Sequence, residues 1–432
     1  MRIRIFLSIG LALSAIAVNA QQKLSLQQSK DIANNSNINL KNSGLRIGYA
    51  EEGKKAAYSA YFPKVEANGV VVYGLKDFVQ PVPVILPRGL NNFYLANVTA
   101  MQPLYAGGKV STSNELAKLQ LEVNKTRLKQ AKDSVNLVTE QKYLQLLNIA
   151  EQYKTVIAND KYLDTLYKEM QDYLKSGLIA RNELLKVKVQ KNELLLNKSK
   201  LNNLKQVALL DFCQFIGLSY DPGIVLTDSV VQVTDPSGLY IKPETVLNNT
   251  DDYKLLQKGV SAEALQTKLK RADYLPSAAI GVGGAQVGVI DRGIGSRFTP
   301  VAMGVVSIPI SAWWGEGKHI LRQRKIAENI ASNNLVNGSN LLQVRMLRSW
   351  YDLTEAYEQY QILQDNMLSS AENLKVNRDN YRSGLNNLSD LLSAQASLQR
   401  TESQLAEAKI NYQVKLSSYR YVTGKMSDQG TN

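Results

Sequence analysis

Few side chains in this sequence could perform the chemistry of an enzyme or a metal centre. The chain contains one histidine, His319, and one cysteine, Cys213. A single histidine excludes the multi-histidine metal sites, and a single cysteine cannot form an internal disulfide. The sequence also lacks a glycine-rich phosphate-binding loop. We therefore expect no catalytic residue, no cofactor and no metal, with an enzyme built from scattered Ser, Asp and Lys side chains as the rival hypothesis.

Two short glycine-containing segments are the better candidates for a functional site, because they resemble each other. The first, SGLIARNELL, occupies 176–185, and the second, SGLNNLSDLL, occupies 383–392. Phe215-Ile216-Gly217 and Val422-Thr423-Gly424 correspond with the same offset. The second half of the chain therefore repeats the first.

Both segments interrupt long regions that the sequence predicts to be helical. All 11 prolines lie outside 109–217 and 318–432, and a proline inside a helix costs about 3 kcal/mol. Apolar residues recur every seven positions in both regions, as in helices packed at shallow angles. The two predicted seams are Val187, Leu194, Leu201, Ala208 and Phe215, and Leu391, Leu398, Leu405, Tyr412 and Tyr419.

The length of these helices predicts where the two segments lie. A helix from Lys109 to Lys175 would be about 100 Å long, at about 1.5 Å per residue. A second helix returns after each glycine, so each segment forms a turn at the far tip of a helical hairpin. Gly177 and Gly384 permit the backbone turn, and a leucine follows each of them.

Four segments before the long helices have the composition of strands: 61–74, 92–105, 277–290 and 299–310. They predict two hairpins, and their alternation is typical of a membrane barrel wall or of a soluble sandwich. Four strands cannot close a membrane barrel, because the smallest have about eight strands. In a membrane, we therefore expect three copies to share one barrel.

The predicted fold class is mixed, with two structural repeats. It consists mainly of long α-helices that form an α-barrel tunnel, with a four-strand share of a trimeric 12-stranded transmembrane β-barrel. A basic start (Arg2 and Arg4), an apolar run and a small-residue site ending at Ala20 predict an export signal. The aromatic residues Trp313, Trp314, Tyr58, Tyr61 and Tyr274 fit either a membrane-interface belt or packing at the strand–helix joint.

The predicted organisation follows from these elements. It comprises a signal peptide over 1–20, an N-terminal helix over 21–60, a β-hairpin over 61–106, a helical tunnel repeat over 107–217 with its tip at 176–183, an equatorial segment and helix over 218–273, a second β-hairpin over 274–312, a second helical repeat over 313–424 with its tip at 383–390, and a C-terminal tail over 425–432.

The sequence resembles the TolC-like outer-membrane efflux proteins over nearly the whole mature chain. The resemblance is carried by Tyr61-Phe62-Pro63 at the first strand, by PLYAGGK over 103–109, and by the duplicated SGL tips. It implies a homotrimer in the outer membrane of a Gram-negative cell, with its helical part in the periplasm. It also implies outer-membrane lipid, a periplasmic adaptor (membrane fusion) protein and an inner-membrane transporter as partners.

The same resemblance implies roles for residues at the tips. The adaptor would dock on Gly177, Leu178 and Ile179 and on Gly384, Leu385 and Asn386. A gate would involve Tyr381, Glu183 and Asp390. Asn386 stands where the best-known member has an arginine, and Ser393 replaces an aspartate. Asp390 also fits an ordinary acidic residue at a helix N-terminus.

The resulting functional prediction is a passive export duct, the outer-membrane component of a tripartite efflux or type I secretion system. A secreted or periplasmic coiled-coil scaffold or adhesin without channel activity is the alternative. The formal net charge of +13 suggests nucleic acid as a partner. We expect no nucleic-acid binding, because the positive charge is spread along helices without an aromatic-rich patch.

Overall fold

A computed structural model of the chain describes residues 23–81, 89–229, 232–290, 294–295 and 297–426. The predicted signal peptide lies outside these residues. The helices are α1 (Leu26–Ser36), α2 (Ile38–Ser59), α3 (Lys109–Lys175), α4 (Arg181–Ile216), α5 (Pro243–Val246), α6 (Asp251–Ala272), α7 (Glu316–Arg382) and α8 (Leu388–Val422). The strands are β1 (Lys23–Leu24), β2 (Lys64–Tyr73), β3 (Asn92–Ala106), β4 (Val225–Leu226), β5 (Ser277–Val289), β6 (Ile294–Gly295) and β7 (Thr299–Ser307).

The chain divides into two compact units. Within the described residues, the helical unit contains those in 23–43, 128–251 and 341–426. The sheet unit contains the described residues of 44–127 and 252–340. Among the described residues, no helix is both long and apolar enough to cross a lipid bilayer.

The sheet unit is built on one antiparallel sheet in which β2, β3, β5 and β7 are neighbours in that order. The pairing of β3 with β5 joins the two predicted hairpins into a single sheet. Two strands are shorter than predicted. The first strand was expected to begin at Tyr61, but it begins at Lys64. Residues 61–63 instead follow a turn at the end of α2, in which Phe62 N–H donates to Ser59 O at 3.0 Å. The last strand ends at Ser307, two residues before Pro309.

The two faces of this sheet differ in charge, although the charged face also carries apolar side chains such as Val70, Leu95 and Val301. On one face, Lys64 and Glu66 form an ion pair on β2, and Asn68 is paired with Asn97 of β3. The other face carries no charged side chain, and its polar residues, Asn92, Gln102 and Gln286, lie towards its ends. Its apolar members are Val65, Ala67 and Val71 on β2, Ala96, Val98 and Ala100 on β3, Ile280 and Val282 on β5, and Pro300, Ala302 and Val306 on β7.

The long helices have the predicted extents. α3 and α7 have 67 residues each, which corresponds to about 100 Å. α4 and α8 have 36 and 35 residues. The fold is mainly helical with a few antiparallel strands, as the sequence predicted.

One predicted seam drifts around its helix. Val187, Leu194 and Leu201 are buried on α4 as expected, but the next seam positions, Ala208 and Phe215, are only half-buried. Leu209, Phe212 and Ile216 are buried in their place. A straight helix rotates its heptad positions by about 20° per repeat, so a strict seven-residue seam leaves the interface after several turns.

The N-terminal helix predicted over 21–60 is two helices, because Asn37 interrupts it. Asn37 has ψ of 127°, outside the helical range. Its side-chain amide donates to Phe215 O at 2.8 Å, and its side-chain oxygen accepts from Asn39 N–H at 2.9 Å. The first bond satisfies a carbonyl at the end of α4, and the second satisfies a backbone N–H at the start of α2.

The equatorial segment over 218–250 is held in the helical unit by tyrosine hydroxyls. Tyr412 donates to Thr234 O at 2.6 Å, and the hydroxyl of Tyr419 accepts from Ile241 N–H at 2.9 Å. Tyr143 donates to Leu24 O at 3.0 Å, and β1 pairs in parallel with β4. Asp228 N–H of the segment also donates to the Tyr143 hydroxyl of α3, at 3.4 Å. The segment therefore contacts α3, α8 and the start of the described chain.

Candidate functional site

The two glycine segments form the same turn between their helices. Leu178 N–H donates to Tyr173 O at 2.9 Å and Gly177 N–H to Leu174 O at 3.0 Å. In the second turn, Leu385 N–H donates to Asn380 O at 2.9 Å and Gly384 N–H to Tyr381 O at 3.1 Å. Both are Schellman caps, which need a left-handed residue at the glycine.

The backbone angle, rather than a lack of space, requires glycine in these turns. Gly177 has φ of 71° and Gly384 has φ of 72°. A Cβ built at either position meets nothing within 4 Å. An alanine would therefore fit sterically, but its backbone would be strained in the left-handed region.

The two turns expose the predicted docking leucines. Leu178 is 71% exposed and Leu385 is 75% exposed. Their neighbours differ: Ile179 packs against the buried cluster that contains Met170 and Leu388. Asn386 is half-buried and donates its side-chain amide to Asn377 at 2.9 Å.

Tyr381 and Glu183 are electrostatically coupled, although each has another direct partner. The half-buried Tyr381 hydroxyl contacts Met170 Sδ at 3.3 Å. Glu183 forms an ion pair with Lys186, with 2.9 Å between Oε1 and Nζ. The same Lys186 Nζ donates a hydrogen bond to Ser389 Oγ at 3.0 Å. Burial, followed by the Glu183 charge, raises the pKa of Tyr381. The Tyr381 phenol therefore stays protonated and can donate a hydrogen bond.

Asp390 is at the third position of α8. Its backbone N–H donates to the side chain of Asn387, the N-cap, at 3.0 Å, and the residue is exposed. An acid in this position is stabilised by the helix dipole. The geometry thus fits an ordinary acidic residue at a helix N-terminus, the alternative interpretation of Asp390.

A cleft at the same tip was not predicted from the sequence. It has a volume of about 820 Å³ and lies between the ends of α3 and α7 and the two turns. Its polar lining includes Tyr162, Glu169, Arg378 and Arg382 besides Tyr381. The four-residue spacing of the two arginines could have indicated that they share one face of a helix. It could not have indicated which other elements pack against that face. Within the described residues, no group of three or more His, Cys, Asp or Glu is placed to hold a metal ion.

The chain is similar to known outer-membrane channels. Residues 243–425 match the family model described as outer membrane efflux protein, a family of transport proteins rather than enzymes. No curated protein matches the chain. Its fold is similar to the Campylobacter jejuni CmeC outer membrane channel, with 16% identity, a TM-score of 0.78, and coverage of 94% of this chain and 87% of that chain.

Two further solved structures have the same fold. The open state of the Neisseria gonorrhoeae MtrE outer membrane channel matches with 16% identity, a TM-score of 0.75, and coverage of 93% of this chain and 89% of that chain. A membrane protein from Pseudomonas aeruginosa matches with 15% identity, a TM-score of 0.77, and coverage of 94% and 90%.

Proposed function

We propose that this chain, which resembles the TolC-like outer-membrane efflux protein family, is the outer-membrane channel of a tripartite efflux or type I secretion system. It acts as a passive trimeric duct in the outer membrane of a Gram-negative cell, with its helices in the periplasm. A periplasmic adaptor docks on the two glycine turns, and an inner-membrane transporter supplies the energy.

The observation that carries the proposal is the two-faced sheet with two open edges. β2 and β7 are the edge strands and, among the described residues, each pairs with one neighbour only. In lipid, each unpaired backbone group costs several kcal/mol. Edges of 10 and 9 residues are well matched for β2 of one copy to pair with β7 of the next. Four strands from each of three copies close a barrel wide enough to conduct.

The polarity of the sheet supports a membrane location. Val65, Val71 and Val306, on the apolar face, are 66%, 68% and 71% exposed. Such a face is suited to lipid, and the opposite face, with Lys64, Glu66 and Asn97, is suited to a water-filled lumen.

An exposed aromatic cluster directly precedes β2, the first strand of the sheet. Tyr58 makes edge-to-face contacts with Tyr61 and Phe62, with ring centroids 5.5 and 5.7 Å apart. All three side chains are exposed although they are large and largely apolar. Aromatic rings of this kind are favoured at the headgroup level of a bilayer.

Exposed apolar stripes on the helices support association of copies. On α4 the stripe is Leu185, Val189, Leu196, Val207 and Leu210, and on α7 it is Leu341, Val344, Tyr351 and Ile362. Each set lies on one side of its helix, at the spacing of a packed coil. Neighbouring copies around a three-fold axis would cover both stripes, which accounts for their exposure in a single chain.

A pair of neighbouring substitutions tests the proposal. Val98→Lys adds a charge to the apolar face, and Asn97→Lys adds the same charge to the polar face of the same strand. We expect Val98→Lys to cost about 2–4 kcal/mol in the membrane and to abolish heat-modifiable trimers in the outer-membrane fraction. Asn97→Lys should retain the trimers and shift the ion selectivity of the channel in planar bilayers.

Equal behaviour of the two variants would contradict the assignment of the faces. Recovery of the parent protein as a stable water-soluble monomer would refute the duct itself. That result would favour the alternative, a secreted or periplasmic coiled-coil scaffold.

A further inference from the structure

The cleft at the helical tips contains two arginines for which the described structure provides no acidic partner. The Nε atom of Arg378 is buried without a hydrogen-bond partner. Neither Arg378 nor Arg382 forms an ion pair within the described residues, and neither does Glu169, the acidic residue in the lining. A buried guanidinium nitrogen without a partner requires an explanation, because such groups are nearly always hydrogen-bonded.

The two arginines act on the same part of the cleft. They are four residues apart on the last turns of α7, so their side chains share one face of that helix. Both charges act on the phenol of Tyr162, across the cleft on α3. Burial raises the pKa of Tyr162, and the two arginines oppose that shift. The phenol therefore remains protonated at neutral pH and is available as a donor.

The remaining lining is aromatic and apolar. Tyr173 and Tyr381 lie beside the arginines, and Leu178, Ile179 and Leu391 complete the wall. With two arginines and one glutamate, the lining carries a net positive charge. A volume of about 820 Å³ lies within the range of small-molecule sites, about 300–1,000 Å³.

We propose that this cleft binds small organic anions that carry a carboxylate on an aromatic ring. The planar guanidinium groups of Arg378 and Arg382 match a carboxylate in two-point geometry. The tyrosine rings provide flat surfaces for an aromatic ring, and their hydroxyls can donate to the same anion. The cleft is lined by residues of both turns assigned to docking, so an anion bound there would lie at the entrance of the duct, next to the docked adaptor. This biological role rests on the proposed function, whereas the binding itself does not.

The test measures binding to the purified full-length protein in detergent. Isothermal titration with benzoate should give saturable binding, and titration with the neutral isostere benzamide should give binding weaker by about tenfold or more. The double variant Arg378→Gln/Arg382→Gln should lose benzoate binding by a similar factor. Arg400→Gln removes an exposed arginine from α8, outside the cleft, and should leave the affinity unchanged.

Each alternative outcome has a distinct meaning. Equal binding of benzoate and benzamide, or equal loss in the Arg400→Gln control, would overturn the proposal. Absence of benzoate binding, with adaptor binding lost in the double variant, would also overturn it and assign the arginines to an acidic surface of the adaptor. Trimer formation and conductance, measured on the same samples, test the duct separately, so that either idea can fail alone.

Discussion

The side-chain amide of Gln395 on α8 donates a hydrogen bond of 2.8 Å to Oδ1 of Asn159 on α3. Asn159 in turn donates through Nδ2 to Gln399, one turn further along α8. Asn159 and Gln395 are 6% and 9% exposed. Because an unpaired buried amide is costly, a shift of α8 along α3 that separates Gln395 from Asn159 would be unfavourable. The pair therefore fixes the register of α3 against α8.

Loss of one member of this pair should be costlier than loss of both. Asn159→Leu leaves the Gln395 amide buried without its partner, and we expect it to lower the free energy of unfolding by about 1–3 kcal/mol. Asn159→Leu/Gln395→Leu should recover part of that loss. Thermal unfolding of the protein in detergent measures both effects.

A matched control for this prediction is Asn192→Leu, an exposed asparagine on α4. The free energy of unfolding of this variant should lie within about 0.5 kcal/mol of that of the parent protein. If Asn159→Leu were as mild as this control, the amide pair would have no role in register.

The glycine of a tip turn should be needed for its backbone angle. Gly177→Ala places a Cβ in the left-handed region, at a cost of about 1–2 kcal/mol, and should distort the turn on which we expect the adaptor to dock. Gly259→Ala, in the middle of α6 and equally free of contacts, should be neutral or stabilising.

The readout for these alanine variants is export by cells together with adaptor binding by purified trimers. We expect Gly177→Ala, and likewise Gly384→Val, to reduce both while the trimers persist. Normal export by the tip variants would rule out a docking role for the turns.

The proposed gate predicts a leak when its two coupled members are replaced. Tyr381→Phe/Glu183→Gln removes the phenol donor and the nearby carboxylate charge that acts on it. We expect the closed channel to conduct more at rest, measured in planar bilayers. Tyr49→Phe changes an exposed tyrosine of α2 that does not line the cleft, and it should leave the resting conductance unchanged. Identical resting currents in the parent and the double variant would remove the gate assignment.

Tyr143 should make the helical unit sensitive to alkaline pH. Burial raises the pKa of Tyr143 to about 12, from an ordinary value of 10.0. The native state thus holds a proton that the unfolded chain releases near pH 10. The contribution of the Tyr143 hydroxyl to the free energy of unfolding is therefore complete below about pH 10, and it is lost as the pH rises towards about 12.

The variant Tyr143→Phe isolates this effect. It should be less stable at neutral pH, because the hydroxyl no longer donates to Leu24 O. The difference from the parent protein should then shrink between about pH 10 and 12. Chemical unfolding at several pH values measures it. A difference that stays constant over this range would show that Tyr143 does not titrate as described.

The sequence by itself determined the local features of this protein. The proline-free regions become α3 with α4 and α7 with α8, because proline is excluded from helix interiors. Gly177 and Gly384 end α3 and α7 because a left-handed residue is needed there, and this requirement acts within six residues of chain. The four strands were predicted for a similar reason, since alternation is a property of neighbouring residues.

Only the tertiary structure decided which distant residues meet. Arg378 shares a cleft with Tyr162, and Tyr381 contacts Met170 because the tips of α3 and α7 lie side by side. The joining of two hairpins into one sheet likewise depends on the register of β3 against β5. Periodicity identifies the face that a helix or strand buries, but the partner and the register depend on how whole side chains pack. That packing brings together residues that are hundreds of positions apart, and a local sequence pattern does not predict which of them meet.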